Sequence, residues 1–341
     1  MGLFSLFNRE VAMDLGTANS IVIYNDKVVI DEPSIVAVNR STNKIIAVGK
    51  AALPMEGRTG DKNIETVRPL RRGVIADFEM AQHLIRELIG MTPVARSFMP
   101  PALRMVICIP SGITNVEARA VRESAEQAGA KEIRMIHEPM AAAIGNGIDV
   151  LAPEGHMIVD IGGGTAEIAV ISLGAIICNN SVPIAGDEFN ANVEEYMRKQ
   201  HNMVIGERTA EEIKIAVGSA VSDLDEPPED YHAHGRDLMT GLPKEVLVNY
   251  KEIAHALDKS IARIEQAVLD TLSITPPQLA ADIYNNGIYL AGVGALLRGL
   301  DRRIKSKTNL EVYIADDPLR AVARGTGIAL KNFNKFSFLI R

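Results

Sequence analysis

Two stretches of this chain, VAMDLGTANSIVIY from Val11 to Tyr24 and MIVDIGGGTAEIAVIS from Met157 to Ser172, repeat one design. In each, an apolar run ends in an aspartate, Asp14 or Asp160. An apolar residue, a glycine, small or polar residues and a second apolar run follow. The aspartates stand 160 − 14 = 146 residues apart. Self-similarity of this kind predicts two halves of one architecture, each opening with a β-hairpin. The turns hold more than a hairpin requires, since a tight connection needs only one or two special residues. Glycines let a ligand approach the main chain without meeting a Cβ, and successive N–H groups around such a turn form a concave anion site. Gly162 to Gly164 with Thr165 make a loop wide enough to wrap a phosphate. Asp14 and Asp160, one per half, then meet across a cleft, and two carboxylates facing phosphates suit a hydrated Mg2+.

Other nucleotide motifs do not fit. No G-x-x-x-x-G-K-[ST] run exists, which excludes a P-loop. The triple glycine leads into a strand, and GGGTAE lacks the last glycine of the dinucleotide fingerprint.

Strand and helix signals alternate along the chain, an α/β pattern. Strands are predicted at 10–15, 20–24, 27–30, 34–38, 44–48, 104–109, 132–136, 157–161, 167–172, 174–179, 287–291 and 311–314. A helix over 77–89 takes Asp77 as its cap, and one over 114–128 has a Thr114/Glu117 capping box and Gly129 at its end. Helices also fit 186–199 and 209–219, the latter with Thr209 and Glu212 at capping-box spacing. The longest spans 250–274, with Ile253, Leu257, Ile261, Ile264, Val268 and Leu272 on one face. Segments 54–63, 93–102 and 222–244 read as loops. The last is an acidic surface excursion in which His232 and His234 are exposed rather than metal-bound. Residues 290–298, LAGVGALLR, read as a strand running into a helix. Gly292 and Gly294 there suit either close approach to a purine or ribose, or tight strand–helix packing.

A net charge of −7 argues against a general nucleic-acid binder, which needs a basic footprint. Aromatic residues at 4% with no Trp leave little for stacking on single strands. Cys108 and Cys178 lie in apolar runs without metal spacing and read as buried thiols of a reducing compartment. No apolar run reaches the roughly 20 residues of a spanning helix. MGLFSLF has no basic n-region for secretion, and Leu6 stands where a myristoylation signal requires Ser or Thr. It reads as a docked or disordered tail, or as a short apolar anchor in a membrane interface.

Together these pieces resemble the superfamily of two-lobed ATPases that includes actin, the heat-shock chaperones and the sugar kinases. Asp14-Leu15-Gly16-Thr17 resembles the first phosphate loop, and Asp160-Ile161-Gly162-Gly163-Gly164-Thr165 the second. Residues 290–298 resemble the adenosine motif. Ile109-Pro110-Ser111-Gly112 and Ala321-Val322-Ala323-Arg324-Gly325 resemble the connecting segments. Within the superfamily, DLGTANS, DEPSIVAV (31–38), RPLRRGVIADF (68–78), HEPMAAAIG (137–145), VDIGGGTAE and DPLRAVARG (317–325) resemble the MreB family, bacterial actins of cell-shape control. These segments cover nearly the whole chain.

The resemblance implies duplicated ribonuclease-H-like domains, each with a smaller inserted subdomain. Subdomain IA would comprise 1–30, 67–140 and 318–341, IB 31–66, IIA 141–178 and 250–317, and IIB 179–249. It implies ATP and Mg2+ as cofactors. Gly16 with the backbone of Thr17, Ala18 and Asn19, and that of Gly162, Gly163 and Gly164, would hold phosphates, with Asp14 and Asp160 holding Mg2+ through water. Glu211, Glu212, Ile213 and Lys214 would flank adenine and ribose on one side, with Gly292, Val293, Gly294 and Ala295 on the other. Glu138 would position the attacking water with Thr165 opposite. On the residues alone, Glu138 reads as a charge favoured at a helix N-terminus. The family usually has three glycines at Gly292-Val293-Gly294 and two at Ala185-Gly186-Asp187, so both departures add small side chains near the nucleotide.

The family also implies paired antiparallel protofilaments, with the helix over 117–127 near their contact. It implies attachment to the inner face of the cytoplasmic membrane through residues 2–7 and 97–103, and work with cell-wall elongation proteins. The loop at 97–103 alternatively folds onto its own domain, and NKFSFLIR at the end reads as a docked tail. An ATP-hydrolysing cytoskeletal protein is the function expected. The alternative is a chaperone-like or sugar-kinase-like ATPase that does not polymerise, although the chain ends at Arg341 with no peptide-binding domain.

Overall fold

The computed structural model describes residues 9–58, 63–93 and 103–340. The MGLFSLF segment and all of 97–103 except Leu103 therefore lie outside the described residues. In the first half, β1 (Arg9–Leu15), β2 (Asn19–Tyr24) and β3 (Lys27–Pro33) form a meander. Strands β4 (Val36–Asn39), β5 (Lys44–Val48) and β6 (Ile64–Val67) follow, then a ribbon of β7 (Leu70–Arg71) and β8 (Val74–Ile75). The half closes with α1 (Phe78–Met91), β9 (Leu103–Ile109), α2 (Asn115–Gln127), β10 (Ala130–His137) and α3 (Glu138–Gly145). The second half starts with β11 (His156–Ile161), β12 (Ala166–Ser172), β13 (Ala175–Val182), α4 (Gly186–His201), β14 (Met203–Val204) and α5 (Glu207–Val217). It continues through β15 (Tyr231–Asp237), β16 (Pro243–Val248), α6 (Tyr250–Ser273), α7 (Pro277–Asn286), β17 (Ile288–Ala291), α8 (Leu300–Thr308), β18 (Val312–Ile314) and α9 (Ala321–Lys331).

The duplication is explicit in the sheets. One runs β3-β2-β1-β9-β10 and the other β13-β12-β11-β17-β18. In both, the first hairpin is antiparallel and the later strands join in parallel. A separate three-stranded sheet accompanies each half, β5-β4-β6 in one and β14-β15-β16 in the other. Two lobes of actin-like architecture result.

Strand alternation then decides where the aspartates point. Val11, Met13 and Leu15 pack into the outer core of the first lobe, and Ala12 faces the opposite way. Met157, Val159 and Ile161 likewise enter the outer core of the second lobe, and Ile158 faces inward. Asp14 and Asp160 share the inward parity with Ala12 and Ile158. A middle core, filled by α3 and α9, lies between the two sheets. These helices cross at backbone distance. A Cβ on Gly145 would sit 1.9 Å from the Ala321 carbonyl oxygen, and one on Gly325 would sit 1.8 Å from that of Ala141. Arg324 Nε closes the crossing by donating to the Gly145 carbonyl at 2.6 Å. The C-terminal tail docks on this core, with Leu339 buried and Ile340 paired to Met135.

Several local signals behave as expected. Asp77 accepts from Met80 N–H at 3.0 Å, and the Thr114/Glu117 box forms in full. The predicted stripe on α6 buries Ile253, Leu257, Ile261, Ile264 and Val268 completely, at about 1.5–3 kcal/mol for each large side chain. Other expectations are corrected. Helix α5 starts at Glu207 behind Gly206, so Thr209 and Glu212 lie inside it and form no box. Residues after β17 make only a 3-10 turn over Val293–Leu296. The 222–244 excursion contains β15 and leads into β16. Its strands were hidden because Ala233 alone is fully buried on a segment otherwise rich in exposed polar residues. His232 and His234 are exposed there and both hydrogen-bond Glu245, at 3.0 and 2.9 Å. Strand β13 runs to Val182, three residues past the strand end expected at 179.

The crossing makes a direct test. Gly325→Ala is expected to destabilise the protein by at least about 1–3 kcal/mol, the usual cost of overpacking a closed contact. Gly90→Ala, with nothing within 4 Å of its new methyl, is expected to stabilise by about 0.5–1 kcal/mol. Urea denaturation followed by circular dichroism measures both; equal effects would remove the close crossing as the explanation.

Candidate functional site

The two repeated turns face each other across the lobes and touch. A Cβ on Gly163 would lie 2.8 Å from that of Ala18, and one on Gly164 would lie 2.7 Å from Arg72 Cα. The first loop is held by its carbonyls. Ser34 donates its hydroxyl to the Gly16 carbonyl at 2.6 Å and its N–H to that of Ala18 at 2.8 Å. The second loop is held in the same manner by the start of α4, where Gly186 and Asp187 N–H groups donate to the carbonyls of Gly162 and Gly163 at 3.2 and 2.8 Å. With the oxygens engaged from behind, the N–H groups of Thr17, Ala18, Gly163 and Gly164 have no protein acceptor among the described residues. Two sets of free donors on facing glycine turns form an anion site. Gly73 N–H donates to Thr17 Oγ1 at 3.1 Å, and its α-carbon packs near Thr165, fastening the β7–β8 ribbon over both loops.

Beneath these donors lie three acids, Asp160 buried and Asp14 and Glu138 half-buried at the cleft wall. Asp14, Thr17, Glu138, Asp160 and Thr165 line one cavity of about 180 Å3 with the loop glycines. Burial pushes the Asp14 carboxyl up to about 7. Burial first, then the charges of Asp14 and Glu167, push Asp160 up to about 8. Glu138, at the first turn of α3, is raised well above the carboxylate range by burial and then by Asp160, Glu167 and Asp14. Among the described residues no lysine or arginine pairs with these three acids; Arg320, on the same cavity wall, pairs with Asp31 at 3.5 Å. Asp160 Oδ1 is buried without a hydrogen-bond partner. A cation with its own water shell fits this set: acids lacking countercharge, an orphaned carboxylate oxygen, and anion donors opposite. The described residues contain no cluster of three ligands that would grip a metal directly. A hydrated Mg2+ held by Asp14 and Asp160 through its own waters would need none.

A second cavity, of about 390 Å3, continues from the first and shares Ala18, Asn19, Gly163, Val293 and Leu319 with it. Glu211, Lys214 and Gly294 line it, whereas Glu212 turns outward to Arg208 and Tyr231. The side chains of Ile213 and Ala295 are fully buried in the second lobe's core. Gly292 and Gly294 serve tight packing as well as the cavity wall. A Cβ on either would lie 2.3 Å from an atom of Ile161. Val293 lines both cavities, while Ala185 is buried.

Sequence reasoning missed Arg68, Ser34 and Glu167. Arg68 spans the cleft mouth between Glu56, at 3.1 Å, and Glu207 of the other lobe, at 4.0 Å. Ser34 and Arg68 lie within the DEPSIVAV and RPLRRGVIADF segments, so the only signal for them was membership in those motifs.

The sequence matches the MreB/Mbl protein family over residues 8–338. The chain belongs to that family. It is 43% identical over 331 residues to the cell shape-determining protein Mbl of Bacillus subtilis (strain 168), covering 97% of this chain and 98% of the relative. It is 44% identical over 335 residues to the cell shape-determining protein MreB of Escherichia coli (strain K12), covering 96% and 94%. Among solved structures, MreB 5 of Spiroplasma citri bound to AMPPNP superposes with a TM-score of 0.89 at 38% identity, covering 96% of this chain and 97% of that one. A MamK double helical filament superposes at 0.78 with 20% identity, covering 96% and 99%, a likeness of fold alone. The two-lobed actin-like fold of this MreB/Mbl protein is thus shared along nearly its full length.

The raised acids set a pH dependence with a definite sign. Between the unfolded carboxylate value of 3.8 and the folded values of about 7 and about 8, the folded protein binds protons that the unfolded chain has released. Stability without divalent cations is therefore expected to fall as pH rises through that window and to level off above it. Asp160→Asn should make the fall shallower. Mg2+ with an adenine nucleotide should raise the thermal midpoint more at about pH 8 than at about pH 6. Melting followed by circular dichroism checks all three, and a flat profile would contradict the raised carboxyls of Asp14 and Asp160.

Proposed function

We propose that this protein binds ATP with Mg2+ in the interlobe cleft, hydrolyses it, and polymerises into membrane-associated filaments that organise cell-wall synthesis. The observation that carries the reading is the pair of facing glycine turns, whose N–H groups have no protein acceptor among the described residues, above acids that have no ion-pair partner there. The relatives' nucleotides, AMPPNP and ADP in MreB 5 of Spiroplasma citri, support it.

Thr17, Ala18, Gly163 and Gly164 would cradle phosphate oxygens through their N–H groups. Asp14 and Asp160 would hold Mg2+ through water, and the metal would neutralise charge developing on the phosphates. Glu211 and Lys214 would flank the nucleoside from one side, with Val293 and Gly294 on the other. Glu138 would orient the attacking water opposite Thr165. Phosphoryl transfer asks mainly for positioning and charge stabilisation, so a raised carboxyl need not act as a strong base.

Filament growth requires a surface that matches another part of the same molecule, and such stacking extends without closing. Helix α2, which would lie near the protofilament contact, carries Val116, an apolar residue 79% exposed. No helix of the described residues is long and apolar enough to cross a membrane. Attachment would rest on residues 2–7 and 97–103, many weak anchors on one polymer adding by avidity. Cell-wall elongation proteins are the partners that family membership favours.

Two measurements test this reading. Glu138→Ala is expected to lower phosphate release by roughly 10²-fold or more while leaving nucleotide affinity within about threefold. Mg-ATP, but not EDTA, should yield paired filaments that pellet with liposomes, and deleting residues 2–7 should weaken the liposome arm alone. Phosphate release without polymer under any condition would leave the ATPase and remove the cytoskeletal role.

A further inference from the structure

Glu167 has not been assigned a task by the site above, yet it is among the most completely buried charged residues of the chain, with no exposed surface. It stands on β12 directly opposite Asp160 in the antiparallel register. Like charges facing each other across a strand pair are unfavourable. The duplication supplies an internal comparison. In the first lobe the same register position, opposite Asp14, is Ile21, packed in the middle core. This architecture therefore accepts an aliphatic side chain at that place, and the second lobe carries a carboxylate for another reason.

Its hydrogen bonds indicate the reason. One oxygen, Oε2, accepts from both the N–H, at 3.1 Å, and the hydroxyl of Ser111. The other, Oε1, accepts from the Ser181 hydroxyl. Ser181 belongs to β13 of the same lobe, whereas Ser111 lies on the loop between β9 and α2 of the other. The carboxylate is thus an anchor for one backbone donor and one hydroxyl from across the cleft floor. The neighbouring Pro110 carbonyl lies 3.3 Å from Nδ1 of His137, the residue before Glu138. A continuous path runs from the second phosphate loop through Glu167 and the Ser111 loop to the residue that precedes Glu138.

We infer that Glu167 is a positioning residue: by clamping Ser111 it fixes Glu138 of one lobe relative to the phosphate loop of the other. The inference rests on the ATPase reading proposed above. Truncating the cross-lobe donor shifts Glu138 against the phosphate site and slows hydrolysis, while the nucleotide-binding groups keep their places. Loss of the Ser181 bond removes an equivalent hydroxyl without touching the link between lobes.

The test compares those two hydroxyls in the full-length protein. Phosphate release is measured against Mg-ATP concentration, with pelleting in parallel so that rates are compared at equal polymer. Ser111→Ala is expected to lower kcat roughly tenfold with KM within about twofold, because misplacement of a reacting group is costly while ground-state binding is unchanged. Ser111→Thr, which keeps the hydroxyl, should recover most of that loss. Ser181→Ala should stay within about threefold of the unmodified chain. Glu167→Ile, the first lobe's own solution, should bind nucleotide and release little phosphate; if it does not fold, the serine comparison still decides. Equal effects of Ser111→Ala and Ser181→Ala, or no effect of either, would overturn the positioning role. Failure of the unmodified chain to release any phosphate would instead overturn the ATPase reading beneath it.

Discussion

The close crossing of α3 and α9 holds the two lobes in register, and the site depends on it. Gly145 and Gly325 bring each helix to the other's backbone, a distance no larger residue permits without displacement. The crossing fills the space between two sheets of identical order, so that their inner faces look at each other across one shared core. Because both sheets present their first strand to that core, the two aspartates that end those strands arrive at the same place. The cleft is a consequence of duplicated sheets packed about a thin pair of helices.

What gathers there is electrostatically incomplete. Acids from both lobes are pushed toward protonation chiefly by burial, and among the described residues none of them is ion-paired: Arg320, which lines the same cavity, pairs with Asp31 and Asp317. Facing them are main-chain donors without acceptors among the described residues. A protein at rest gains nothing from either arrangement, since unpaired buried polar groups cost stability. A ligand that brings both negative oxygens and a hydrated cation satisfies both sets at once. Arg68, held between Glu56 and Glu207, and Glu167, holding Ser111, join the lobes at the mouth and the floor of the same cleft.

Much of this was legible beforehand. The hairpins, their inward aspartates, the long amphipathic α6 and the caps of α1 and α2 all follow from patterns a few residues long. Errors came where that local signal was thin or ambiguous. Strands β15 and β16 bury few side chains and so lack a strong period-2 apolar trace. Glu212 stood at capping-box spacing from Thr209, yet Gly206 is where the chain turns into α5. Ile213 and Lys214 are neighbours in the same motif, but helical rotation sends one into the core and the other into the cleft.

The sequence by itself determined the repeat, the parity of each strand, and hence that one aspartate from each half points to a common cleft. Those features are set by side-chain period and glycine placement, which act over a turn or a strand. Only the tertiary structure decided which distant groups meet: Gly163 against Ala18, Gly73 on Thr17, and Ser111 on Glu167, the last two pairs each 56 residues apart in the chain. Contacts of that separation depend on how the sheets are set about α3 and α9. No local period carries that information, because the geometry belongs to the packing of whole elements.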